Sequence, residues 1–255
     1  MLPITLGTPD SVIGFTQGGP ENPWLERFLT INGVAGYLLA YACGTCGLVL
    51  RSQPGTPPLP IAAEAVRDRL NHGLAEPDPE VIEAFGARLP RDDYLVMLLD
   101  VRPILVEPGS PRDYFVAEQP RLWTREEMEE PEATDPANVA YYRLGDQPIG
   151  ERHRLFQFAV PMRPLDSMEQ TVLSHYAGTG ESGTAVALGV LDISGPHFSA
   201  REHWGLFHFL LDGHHKMLAA ARAGRVMRML SFVSTGHSLA TEEQLRCLHD
   251  TLGGG

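Results

Sequence analysis

Apolar and polar positions along the chain fall into short runs with two different periods, and the two kinds of run alternate. In the last third, residues 154–162, 184–193, 205–213 and 225–234 are nearly continuous apolar runs and read as strands. Between them, residues 166–178 carry helical spacing, with Asp166 or Ser167 placed as N-cap and Gly178 just past the end. Residues 214–224 form an alanine-rich helix that stops at Gly224, and residues 241–250 open with the capping pattern T-E-E-Q. Strands alternating with helices predict an α/β (α+β) fold.

The earlier part of the chain is less regular. Residues 36–52 place two apolar, aromatic runs around C-G-T-C-G, which reads as strand, tight knuckle, strand. Residues 61–74 have Ile61, Ala65, Val66 and Leu70 at helical spacing, and residues 79–89 form a second short helix with Pro79 at its start. Residues 93–106 are strongly apolar and read as a buried strand bent at Pro103. The proline-rich segment 52–60 reads as a linker, and residues 126–136 as an acidic, proline-broken surface loop. No repeat at a 20–50-residue period is present. At ~100–200 residues per domain, the 255 residues are expected to divide into an N-terminal region, 1–150, holding the cysteine knuckle, and a C-terminal domain, 151–255, closed by a helix.

Composition narrows the function. With 43% hydrophobic and 20% charged residues the chain can bury a core. A formal net charge of −12 argues against general binding to nucleic acid or anionic membranes, since such a surface must supply cations. No apolar run reaches the ~18 residues of a membrane span, and the first residues lack a basic and apolar leader pattern, so the expected compartment is the cytoplasm. Residues 1–150 hold 22 acids against 11 arginines, whereas residues 151–255 hold 10 acids against eight arginines and one lysine. That lysine, Lys216, is the only one in the chain.

The segment with the clearest chemistry is 208–224. An apolar strand ends in Asp212-Gly213-His214-His215-Lys216 and passes directly into a helix. The first turn of a helix has unpaired N–H groups and partial positive charge. Gly213 allows a tight turn and close approach of a ligand, and Lys216 adds a full charge. The combination suits a phosphate. Asp212, His214 and His215 add acid–base groups or metal ligands at the same edge. Five of the ten histidines fall between 197 and 215: His197, His203, His208, His214 and His215. His208 reads as a packed, hydrogen-bonded strand residue, and His197 and His203 as loop residues.

The strand–D-G-H-H-K–helix unit resembles the ligand pocket of the ParB/sulfiredoxin superfamily, over residues 154–236. The resemblance extends to the order of elements, with V-P-M-R-P-L-D from Val160 at the exit of the first strand, a helix, a second strand, and residues 225–234 as the closing strand. It implies ATP or another nucleotide, bound with Gly213, His214 and Lys216 on the phosphate, and Asp212 as a catalytic or metal-binding acid; because Asp212 would repel phosphate without a cation, Mg²⁺ is expected with the nucleotide. His214, His215 and Lys216 would join the catalytic set, and Asp166 is the acid nearest the position where small-molecule kinases of the superfamily place a Glu. Lys216 stands where the superfamily usually has Arg, which exchanges a bidentate contact for a point charge. No cysteine lies between 47 and 246, so the thiol chemistry of sulfiredoxin has no nucleophile here.

Cys43 and Cys46 form a C-x-x-C resembling the knuckle of zinc ribbons. A structural zinc needs four ligands. Cys247 and His249 are candidates for the other two, and His72 is a further one. A redox dithiol and a pair of unligated buried cysteines are the alternatives. The expected function is a nucleotide-dependent phosphotransferase acting on a small molecule. A ParB-like regulatory module that binds nucleotide without turnover, and a metal-dependent nuclease built on Asp212, His214 and His215, are the alternatives.

Overall fold

The computed structural model describes residues 3–16, 27–38, 52–53, 55–59, 64–118, 139–150, 153–178, 183–194 and 203–253. Eleven strands are present among them: β1 (Ile4–Leu6), β2 (Ile13–Phe15), β3 (Phe28–Ile31), β4 (Val34–Leu38), β5 (Asp92–Val101), β6 (Ile104–Val106), β7 (Tyr141–Ile149), β8 (His153–Val160), β9 (Thr184–Ser194), β10 (His203–Asp212) and β11 (Met227–Ser234). The helices are α1 (Arg67–His72), α2 (Pro79–Gly86), α3 (Tyr114–Ala117), α4 (Gln170–Gly178), α5 (His214–Ala223) and α6 (Glu242–Leu252). The fold is α/β with a mixed sheet.

Eight strands form one sheet in the order β1-β5-β11-β9-β10-β8-β7-β6, and β2-β3-β4 form a small antiparallel sheet. In the large sheet β8 and β10 are parallel, β9 and β11 are parallel, and the other pairs are antiparallel. The expected division at residue 150 does not separate two units, because Gly150 lies between β7 and β8, neighbours in this sheet, and β1 and β5 belong to it too.

The sheet is curled. Only Arg102 and Pro103 separate β5 from β6, yet the two lie six strand positions apart. A flat sheet would hold them about 29 Å apart at ~4.8 Å per strand. The chain from Val101 to Ile104 spans at most about 11 Å. The sheet therefore rolls until β6, one edge strand, comes back to the end of β5, the strand next to the other edge. The run at 93–106 is thus two strands six positions apart in one sheet, rather than one bent strand.

Alternation along each strand divides the core. Phe156, Phe158, Val160, Leu188, Phe209 and Phe232 face α1, α2 and the small sheet, which contribute Leu70, Val81, Phe85 and Leu29. Leu155, Ala159, Ala187, Leu206, Met229 and Val233 face the other way, toward Met217 and Ala220 of α5 and Leu245 and Leu248 of α6. Helix α5 packs on both β9 and β6, and α6 on both β5 and β7, so these two helices occupy the inside of the curl. Helix α6 begins as its sequence predicts: Thr241 and Gln244 form a complete capping box. Helix α4 starts later than expected, at Gln170, because Leu165–Ser167 form a separate 3-10 turn after Pro164. The helix expected over 61–74 is seen as a 3-10 turn at Glu64–Val66 running into α1, and residues 61–63 lie outside the described set. The acidic loop 126–136, His197, and both Cys43 and Cys46 also lie outside it.

Candidate functional site

The strand–glycine–helix switch forms as its sequence predicts. Strand β10 ends at Asp212, Gly213 takes a left-handed conformation at φ 85°, and α5 starts at His214. A side chain at Gly213 would come within 2.8 Å of Cα and Cβ of Ala185, so the turn needs glycine for both its dihedral and its contact with β9. The Met217 N–H bonds the Gly213 carbonyl at 2.8 Å, leaving the amides before it as the free first turn.

The side chains of the segment diverge. His214 is buried, and its Nε2 accepts a 3.1 Å hydrogen bond from the Met162 N–H, just past the end of β8. His215 is half-buried, and its Nε2 accepts from the Glu169 N–H at 3.1 Å. The two imidazoles thus pin both ends of the segment joining β8 to α4. Burial pushes the His214 imidazole down to about 3, with Arg163 and His215 acting in the same direction. Burial also lowers His215, and Arg163 adds to this, while Glu169 and Asp212 oppose it. Both rings are held neutral, which an Nε2 acceptor requires.

Lys216 turns the opposite way. It is 7% exposed, and its Nζ donates to the Leu70 carbonyl of α1 at 3.0 Å and to the Thr184 carbonyl of β9 at 3.2 Å. The ammonium also lies 5.9 Å from the centre of the Tyr176 ring. Burial lowers its pKa and Asp212 opposes the shift. Its charge goes to fastening α1 against the start of β9, which departs from the phosphate contact expected of it. Sequence reading missed this because the partners are main-chain oxygens 146 and 32 residues away.

Asp212 is half-buried, and among the described residues its carboxylate makes no hydrogen bond or ion pair. Its charge is felt by His215, Lys216 and Tyr176. Tyr176 donates to Asn71 Oδ1 at 3.0 Å, and its pKa is raised by burial and then by Asp212. Arg163, exposed in the segment after β8, acts on both imidazoles. The segment V-P-M-R-P carried this residue in plain view, but nothing in its spacing tied it to Asp212. Asp166 is exposed in the 3-10 turn and has no hydrogen bond or ion pair among the described residues.

Of the two expected metal sets, one falls partly outside the described residues, since Cys43 and Cys46 lie there. His214 and His215 spend Nε2 on separate backbone amides, and among the described residues no group of three His, Cys, Asp or Glu side chains stands ready for a metal. The two imidazoles thus hold separate stretches of backbone through Nε2. Cys247 and His249 are two residues apart on α6, a separation that points side chains to different faces of a helix. Cys247 packs against the core inside the curl, while His249 Nδ1 lies 3.5 Å from Asp250 Oδ1. The two side chains therefore leave the helix in different directions. His72 Nδ1 is hydrogen-bonded to the Asp68 carbonyl at 2.7 Å. His203, expected in a loop, lies in β10 with Nδ1 2.8 Å from the Tyr114 hydroxyl.

What the geometry defines is an α/β protein with an uncommitted carboxylate where two adjacent parallel strands, β8 and β10, end beside a helix start. Comparison with protein-family models, curated proteins and solved structures gave no match. Among the described residues, no helix is long and apolar enough to cross a membrane.

Proposed function

We propose that the protein binds a phosphate-bearing small molecule where β8 and β10 end, as a nucleotide-dependent phosphotransferase. The observation that carries the reading is Asp212. It is the one polar side chain of the D-G-H-H-K segment without a partner among the described residues, and it stands at the strand end where ligands of α/β sheets gather. The order β8, α4, β9, β10, α5, β11 follows the order expected from the superfamily resemblance.

The residues present fit such a ligand with one exchange of roles. The first-turn amides of α5 and the Gly213 turn supply donors. Arg163 takes the cationic role that Lys216 cannot fill while bonded to two carbonyls. Mg²⁺ uses one or two carboxylates and keeps several waters, so Asp212 alone can anchor it. Bound there, the ion would neutralise phosphate charge. Asp212 otherwise serves as the proton acceptor for a substrate hydroxyl. His214 and His215 are positioning residues that hold the Arg163 segment against α5.

Calorimetric titration with ATP, ADP and CTP, each with and without Mg²⁺, tests the reading. At least one should bind with Mg²⁺, Arg163→Ala should weaken it, and Asp212→Asn should remove the metal dependence. Absence of binding by all three at millimolar concentration would refute it. Binding without phosphate transfer would favour the regulatory reading.

A further inference from the structure

The inside of the curl carries three buried polar atoms with no hydrogen-bond partner among the described residues: the Tyr142 hydroxyl, Gln157 Oε1 and His208 Nε2. Tyr142 and His208 are fully buried and Gln157 is 8% exposed. Their positions are adjacent. Ala159 on β8 is the register partner of Tyr142 on β7 and of His208 on β10, and Gln157 lies two residues before Ala159 on the same face. Across β10, the register partner of His208 is Gly189 on β9. A side chain at Gly189 would meet Ser231 Oγ at 3.0 Å, so its absence opens the path by which His208 Nδ1 reaches Ser231 Oγ at 2.8 Å.

Small residues surround these groups. Ala159 and Gly189 flank His208, and α5 adds Ala220 and Ala221 to this side of the core. Adjacent strands are ~4.8 Å apart, which puts the backbones of Tyr142 and His208 about 10 Å apart with only the Ala159 methyl between them. Burying a polar atom without a partner is costly, and native cores rarely leave several side by side.

We propose that this face encloses an internal hydrated site, in which one to three (roughly) ordered waters bridge Tyr142, Gln157 and His208. The bonding pattern is complementary. Gln157 Oε1 can only accept, so a water must donate to it. His208 is neutral in its buried setting, with burial pushing it down to about 3. When Ser231 donates to its Nδ1, Nε2 carries the proton and donates to water. The Tyr142 hydroxyl can serve in either sense. The site is independent of the edge at Asp212.

The test combines an atomic-resolution crystal structure of the full chain with unfolding measurements on Tyr142→Phe and Gln157→Leu. The expected result is water within hydrogen-bond distance of at least two of the three atoms. Each substitution should then lower the folding equilibrium constant about five- to tenfold, because it strands a bridging water. Water at fewer than two of the atoms overturns the proposal. So does either variant matching or exceeding the parent in stability, since removal of a truly unpaired polar group relieves its burial cost.

Discussion

Replacing Lys216 by Met separates a structural ammonium from a ligand-binding one. Methionine keeps most of the stem and removes the charge. In the folded protein the Leu70 and Thr184 carbonyls then lose a donor each, in a place that solvent does not reach. An unsatisfied buried acceptor costs about 1–3 kcal/mol, so the pair gives about 2–6 kcal/mol. Relief of the burial cost of the ammonium, visible in its lowered pKa, offsets part of this. The net expectation is a loss of about 2–4 kcal/mol. Urea unfolding followed by circular dichroism should show a lower midpoint at unchanged slope. The sign of the pH effect is a second check. A lysine whose folded pKa is lowered binds fewer protons when folded, so stability rises with pH between that lowered pKa and about 10.5, and Lys216→Met abolishes the rise. A variant as stable as the parent that has lost nucleotide binding would refute the carbonyl-bound assignment and return Lys216 to the ligand.

Gly213→Ala should destabilise by about 3 kcal/mol or more, since it combines a left-handed dihedral with a 2.8 Å clash on β9; chemical denaturation measures it, and a loss below about 1 kcal/mol would show that the turn relaxes freely. His208 and His214, each lowered to about 3, bind protons in the unfolded chain well before the folded one. Their contribution to stability is present above pH 6.5 and is lost as pH falls toward about 3, at about 1.4 kcal/mol per pH unit for each. Imidazole proton shifts followed by NMR should show neither ring titrating above about pH 4, and titration of either near its ordinary value would contradict the burial account.

The sequence revealed the local features and concealed the long-range ones. Gly213 and the helix behind it were legible because a left-handed turn and a helical period are written in neighbouring residues. The capping box at Thr241 was legible for the same reason. The closure of the sheet at Pro103 was not, because an apolar run looks the same whether its two halves form one strand or two distant strands of a curled sheet. The expected boundary at residue 150 followed the charge distribution, which reports surface composition and not strand pairing. Lys216 stood out in the sequence as a solitary lysine, but its partners are carbonyls, which have no sequence signature. His208 was read as packed and hydrogen-bonded. One ring nitrogen is, on Ser231, while the other has no partner among the described residues and contributes to the internal polar site. For Asp212 the sequence marked the residue, and the structure added that its neighbours in the motif are occupied elsewhere.

The central claim is that a phosphate-bearing ligand sits where β8 and β10 end, and amide NMR during titration with Mg²⁺–ATP tests it most directly. The account predicts saturable shifts concentrated on Gly213, His214 and Arg163, with the Leu70 and Thr184 amides nearly unmoved, because Lys216 stays on their carbonyls. Absence of saturable shifts, or shifts centred away from Asp212, would contradict it.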